Sequence, residues 1–215
     1  MCGRFSLFDI FGLEVLYNLY LPAWVKPRYN IAPSQEILAI IDDGGYQAVQ
    51  FKWGLIPFWA KEKVPGLINA RAETVDIKPS FKQSLKSRRC LIPADGFYEW
   101  KKEGTRKRPY RINLKNGDVF AFAGLWDAWT SPKGETINSC AIITTSANTM
   151  MEPIHSRMPV ILPKEAEETW LHADTGILTL KGLLKAYRSE LMESYEVSTR
   201  VNNFRNDIPE VLKPV

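Results

Sequence analysis

The chain has 215 residues, 45% hydrophobic and 24% charged, with a formal net charge of +4. It is long enough to bury a core without a metal or a disulfide. No apolar run approaches the ~18 residues of a membrane span. The three cysteines at 2, 90 and 140 are odd in number, which argues against a disulfide framework. No basic and apolar leader opens the chain, so a reducing cytoplasm is the expected compartment.

In chain order, residues 6–20 have helical apolar spacing and end before Pro22. Residues 36–55, broken by Asp43-Gly44-Gly45, read as a β-hairpin. SFKQSLKS predicts a short helix. RRCLIPA and GFYEWKK predict strands, with Asp95-Gly96 as a turn or bulge between them. Residues 109–129 predict a second hairpin around Asn116-Gly117. SCAIITTSA reads as a buried strand, PKEAEETWLH and LTLKGLLKAYRS as helices, and YEVSTRV as a late strand. Without repeats, linkers or low-complexity tracts, this describes one α+β domain over residues 1–215. Its curved, largely antiparallel and barrel-like sheet is flanked by helices.

Positive charge gathers at residues 82–89 and 101–111, while the last quarter is mildly acidic. A basic surface beside many aromatics suits a polyanion such as nucleic acid, and a solvated face is the plainer reading of the charge alone.

Four places carry chemistry. Loss of Met1 before the small residue Cys2 leaves a terminal 1,2-aminothiol. Its α-amine, with an ordinary pKa near ~7.7–8.0, is partly neutral at physiological pH, and a thiol is the strongest common nucleophile. The amine condenses with an aldehyde, and the thiol closes on the imine to a five-membered thiazolidine, with intramolecular effective molarities of about 10⁵–10⁸ M. Asn69 and Arg71 lie two apart and face one way in an extended segment, an amide and a guanidinium suited to an amine and a phosphate. Glu99, among Phe97, Tyr98 and Trp100, is a candidate general acid. His155 follows a buried strand and can shuttle protons, with Arg157 two residues on. Each has a plainer alternative: a chance second codon, a loop amide, an edge-strand glutamate paired with Lys101, a structural histidine. The other histidine, His172, ends a helix and reads as structural. Phe58 and Trp59, in a proline-bearing loop, can stack on unpaired bases. No Cys-x-x-Cys, GxGxxG or GxxxxGK occurs, so neither a metal nor another cofactor is expected.

Seven segments, MCGRF, RYNIAPS, WGLIPFW, INARAET, CLIPADGFYEW, AGLWDAW and IHSRMPVIL, follow in order over about three quarters of the chain. Together they resemble the SOS response-associated peptidase (SRAP) family of abasic-site-processing proteins. The resemblance implies covalent capture of abasic sites in single-stranded DNA by a monomer whose mature chain starts at Cys2. It implies catalytic roles for Cys2, Asn69, Glu99 and His155, phosphate contacts from Arg4, Arg71 and Arg157, and base contacts from Phe58, Trp59 and Pro33. Two other readings compete. An N-terminal-nucleophile peptidase or amidohydrolase would use the same Cys2; class II glutamine amidotransferases also begin Met-Cys-Gly, but their glutamine-binding motifs are not evident. A plain single-strand-binding module would need the rings and charges without Cys2. Turnover of a peptide or glutamine without DNA marks the first, and a protein–DNA band lost on denaturation marks the second.

Overall fold

The computed structural model describes residues 2–62 and 64–215. In chain order it contains β1 (Phe5–Leu7), α1 (Ile10–Tyr17), β2 (Arg28–Ile31), β3 (Glu36–Asp42), β4 (Tyr46–Trp53), β5 (Asn69–Arg71) and α2 (Pro79–Ser87). Then follow β6 (Arg89–Ala94), β7 (Gly96–Glu103), β8 (Arg106–Leu114), β9 (Phe120–Thr130) and β10 (Thr136–Ser146). The chain finishes with β11 (Arg157–Pro159), β12 (Ile161–Leu162), α3 (Lys164–Leu171), α4 (Ile177–Leu183) and β13 (Met192–Glu196).

The strands form two sheets, mostly antiparallel, as the α+β expectation has it. One runs β13-β8-β7-β1-β2. In the other, β4, β3, β6, β9 and β10 pair in turn, and β10 also pairs with β4, so the five close into a ring. Every residue of β6 is buried, as is the stretch 139–145 of β10. Such continuous apolar runs are what strands covered on both faces require. Helices α2 and α3 cover β6 from outside. Arg89 is buried beneath them and donates to the carbonyls of Leu85 and Lys86 in α2, and of Trp170 and His172 at the end of α3. One cation thus satisfies the last carbonyls of two helices.

Three expectations need correcting. The helix predicted from residue 6 starts only at Ile10, because residues 5–7 are claimed by strand pairing on both edges. Asp9 caps it by accepting from Gly12 N–H at 2.9 Å. The Asn116-Gly117 turn exists, with Gly117 at φ 76°, but β8 and β9 belong to different sheets and form no hairpin. The hairpin is β7–β8, turning at Gly104 with φ 60°. The predicted helix at 178–189 ends by Leu183.

Asp95 marks the point where the chain leaves the ring for the five-stranded sheet. It is 3% exposed. Its carboxylate accepts from Ser6 Oγ at 2.6 Å, from the N–H groups of Phe8 and Asp9, and from the Arg111 guanidinium at 3.2 Å. Arg111 also donates to the Asp95 carbonyl at 3.0 Å. A Cβ on Gly96 would lie 2.6 Å from the Arg111 guanidinium, so any side chain there would have to displace that guanidinium. Burial pushes the Asp95 carboxyl up and these donors pull against it. Replacing Asp95 by Asn strips a buried cation of its partner. We expect Asp95→Asn to lower the unfolding free energy by about 3–5 kcal/mol in urea titrations; a change within ~0.5 kcal/mol would mean the corner is held by packing alone.

Candidate active site and nucleic-acid interface

The N-terminal strand reaches the site from the interior of a sheet. β1 lies between β7 and β2, with Phe5 opposite Phe97 and Ser6 opposite Gly96. Tyr98 N–H donates to the Arg4 carbonyl at 2.9 Å, which continues the register beyond the named strand. The next antiparallel step sets Glu99 abreast of Gly3, beside Cys2. Cys2 and Glu99 are both buried, at 0% and 3% exposure. Burial, then the Glu99 carboxylate, push the Cys2 thiol well above its ordinary range, against the Arg4 N–H that favours the thiolate.

The other two candidates come from the far end of β10, which carries a strand on each side. β5 runs parallel to it, with Asn69 opposite Ile142 and Arg71 opposite Thr144. β11 runs antiparallel, with Arg157 opposite Ser146. Asn69 Nδ2 donates to the Cys2 carbonyl at 2.9 Å, tying the two sheets together at the site. Its Oδ1 is buried and accepts no hydrogen bond among the described residues. His155 Nδ1 faces both the N–H of Arg157 at 2.9 Å and its C=O at 3.1 Å. Either protonation state of that nitrogen therefore has a backbone partner, which suits a proton carrier. Glu99 and His155 line one open groove of about 570 Å³, together with Trp100, Lys102, Lys107 and Asn202. Cys2 adjoins this groove through Glu99.

The expected nucleic-acid residues divide by how free they are. Phe58 and Trp59 are about half exposed, at 50% and 52%. Their loop is pinned from below: Asp127 accepts from Phe58 N–H and from Arg88, Trp129 Nε1 donates to the Ala60 carbonyl, and Ser139 Oγ accepts from Ile56 N–H. The Arg88 guanidinium sits 5.6 Å from the Phe58 ring centre. Trp59 Nε1 reaches the Pro79 carbonyl at 3.4 Å. Arg71 is exposed. Arg4 is largely committed inward, with Nη1 donating to Asn30 Oδ1 at 2.8 Å and to the Val201 carbonyl at 2.6 Å. Arg157 forks the Glu73 carboxylate and donates to the Thr144 carbonyl at 2.7 Å. Pro33 sits half-buried in the β2–β3 turn and does not line the groove. The two basic stretches are also partly consumed: Arg88 pairs with Asp127, Arg89 is buried and Arg111 serves Asp95. Trp100, Lys102, Lys107 and Asn202 escaped sequence reasoning. The lysines lay inside a flagged basic stretch, but nothing local gave their register. Met1, whose loss the aminothiol chemistry requires, lies outside the described residues.

No three His, Cys, Asp or Glu residues cluster to hold a metal among the described residues, and no helix there is long and apolar enough to cross a membrane.

A sheet-embedded cysteine at position 2, an amide on its carbonyl, and a glutamate and histidine in one groove form the candidate site. The chain belongs to the SOS response associated peptidase (SRAP) family, whose sequence model matches residues 1–204. It is 48% identical over 222 aligned residues to the abasic site processing protein YoqW of Bacillus subtilis, covering 99% of both chains. It is 34% identical to the abasic site processing protein HMCES of Xenopus tropicalis, over 88% of this chain and 67% of that one. A crystal structure of a Bacteroides thetaiotaomicron protein superposes over the whole of both chains, with a TM-score of 0.89 at 28% identity.

The Arg157–Glu73 pair carries a pH prediction. Hydrogen bonding from Arg157 holds the Glu73 carboxyl below its ordinary value of 4.5. A depressed folded-state value means stabilisation that is present above 4.5 and lost as pH falls through the folded value. Glu73 is about half exposed, so the pair contributes under about 1 kcal/mol. Glu73→Gln should therefore be slightly less stable than the parent at neutral pH, and the two should converge as pH drops below 4.5. Parallel urea titrations check this; a gap constant across that range would locate the effect elsewhere.

Proposed function

We propose that the mature chain begins at Cys2 and captures abasic sites in single-stranded DNA as a thiazolidine, shielding the lesion from strand cleavage. The observation that carries this reading is Asn69, which holds the Cys2 carbonyl while its buried Oδ1 has no donor among the described residues. A freed α-amine beside that carbonyl would supply one. The names of YoqW and HMCES support the lesion as target.

The chemistry follows in order. An abasic deoxyribose is mainly a closed hemiacetal; Glu99 takes the proton of its C1 hydroxyl and returns it to the ring oxygen as the C1–O4 bond breaks, giving the aldehyde. The Cys2 amine, oriented by Asn69, adds to the carbonyl carbon. His155 carries protons as water leaves and the C=N bond forms. The thiol then adds across that bond: sulfur bonds the former aldehyde carbon and the S–H proton ends on nitrogen. A buried thiol whose thiolate form is disfavoured fits this sequence, in which the amine acts first. An imine acidifies the neighbouring carbon and promotes β-elimination of the strand; a thiazolidine contains no imine and leaves the strand whole. Met1 must leave beforehand, by the action of this site or of an aminopeptidase.

Intact mass spectrometry after mixing with an abasic single-stranded oligonucleotide tests the reading. The expected species is the Met1-free chain plus the oligonucleotide less one water, with the strand uncut. Cys2→Ser keeps the amine but not the thiol, and should cut the strand instead of holding it; a variant that neither forms an imine nor cuts would overturn the amine-first order.

A chain with Met1 retained by an N-terminal extension has no α-amine at Cys2 and should form no adduct. An adduct on a verified Met1-bearing chain would remove the amine from the mechanism.

A further inference from the structure

The β7–β8 hairpin has two unlike faces. Strand alternation places Lys101 and Glu103 on one and Trp100 and Lys102 on the other. The register sets Arg108 opposite Lys101, and Lys107 opposite Lys102. The first face is neutralised by ion pairs: Lys101 with Glu103 at 3.1 Å, and Arg108 with Glu103 and Glu196, each at 3.2 Å. On the second face two exposed ammonium groups stand directly across from each other, and neither has a carboxylate partner among the described residues. Like charges directly opposite on an antiparallel pair destabilise it. Three available acids, Glu103, Glu193 and Glu196, serve other residues nearby.

This cation pair lines the same groove as Glu99 and His155. Its wall is rigid: Trp100 Nε1 donates to Asn202 Oδ1 at 2.7 Å, and the Arg4 guanidinium lies 5.8 Å from the Trp100 ring centre. A cation pair without carboxylate partners on the lining of a groove favours an anion that enters the groove. The geometry points to Lys102 and Lys107 as a phosphodiester subsite, holding the DNA backbone where the strand passes beyond the lesion, with Trp100 as the wall beside it. Two ammonium groups on flexible stems fit a phosphate as point charges and confer no sequence preference. They supply what Arg4 and Arg157, committed to partners within the protein, do not supply without rearrangement. The subsite rests on the abasic-strand reading above and extends it from the reacting sugar to the flanking chain.

The test reads binding apart from chemistry. The probe is a short single-stranded oligonucleotide with tetrahydrofuran in place of the abasic sugar, which has no aldehyde. Kd is measured against salt for the parent, for Lys102→Gln/Lys107→Gln, and for Arg108→Gln on the opposite face. Each single-strand phosphate contact contributes roughly 0.7 to the slope of log Kd against log salt. The double variant should bind more weakly and lose roughly 1.4 from that slope, while Arg108→Gln keeps the parental slope. Its melting temperature should equal or exceed the parent's, because the repulsion is gone. A parental slope in the double variant, or an equal loss in Arg108→Gln, overturns the subsite. If the parent itself does not bind the probe, the DNA reading falls and the subsite with it.

Discussion

The site depends on β1 being an interior strand. Chain termini are ordinarily the least ordered part of a domain, and three residues of strand would fray if paired on one edge. Here Phe5 and Ser6 meet β7 on one side, Phe5 and Leu7 meet the edge strand β2 on the other, and the sheet continues beyond β7 through β8 and β13. Phe5 and Leu7 are buried in the main core, and Ser6 is tied to the Asp95 corner. With those residues fixed, Arg4 and Cys2 have almost no conformational freedom. That is the preorganisation an intramolecular ring closure needs, because its rate advantage comes from freedom surrendered in advance.

The second constraint is the end of β10. A single buried strand carries β5 on one flank and β11 on the other, so Asn69 and His155 are placed by one element although 86 residues separate them in sequence. The hydrogen bond from Asn69 to Cys2 joins this element to the sheet that holds the terminus. The candidate site therefore falls where two separately built sheets meet. The loop bearing Phe58 and Trp59 gains its firmness in the same way, from Asp127 and Trp129 of β9 and Ser139 of β10 beneath it.

Local patterns made most strands readable: the hairpin β3–β4, the buried runs of β6 and β10, and helix α2 with Pro79 in its first turn. The candidate residues stood out because they fall in ordered motifs, and the structure brings Asn69 to Cys2 and Glu99 and His155 to one groove. What escaped depends on distant partners. Asn116-Gly117 is a stronger turn signal than the sequence around Gly104, yet the sheet each strand joins is decided by pairings no window contains. Asp95 read as a turn residue because its donors come from Ser6, Phe8, Asp9 and Arg111. Arg4, Arg89 and Arg157 read as free charge because their partners, at Val201, Trp170 and Glu73, lie far along the chain.

The bond from Arg4 to the Val201 carbonyl spans 197 residues. During synthesis the terminus emerges first, but its clamp waits for almost the last turn of the chain, and its strand partner β7 for nearly the hundredth residue. Contacts of such long sequence separation form late. The nascent terminus thus stays outside its sheet until the strands that flank it have been made. The first segment to be synthesised is therefore among the last to be fixed in place.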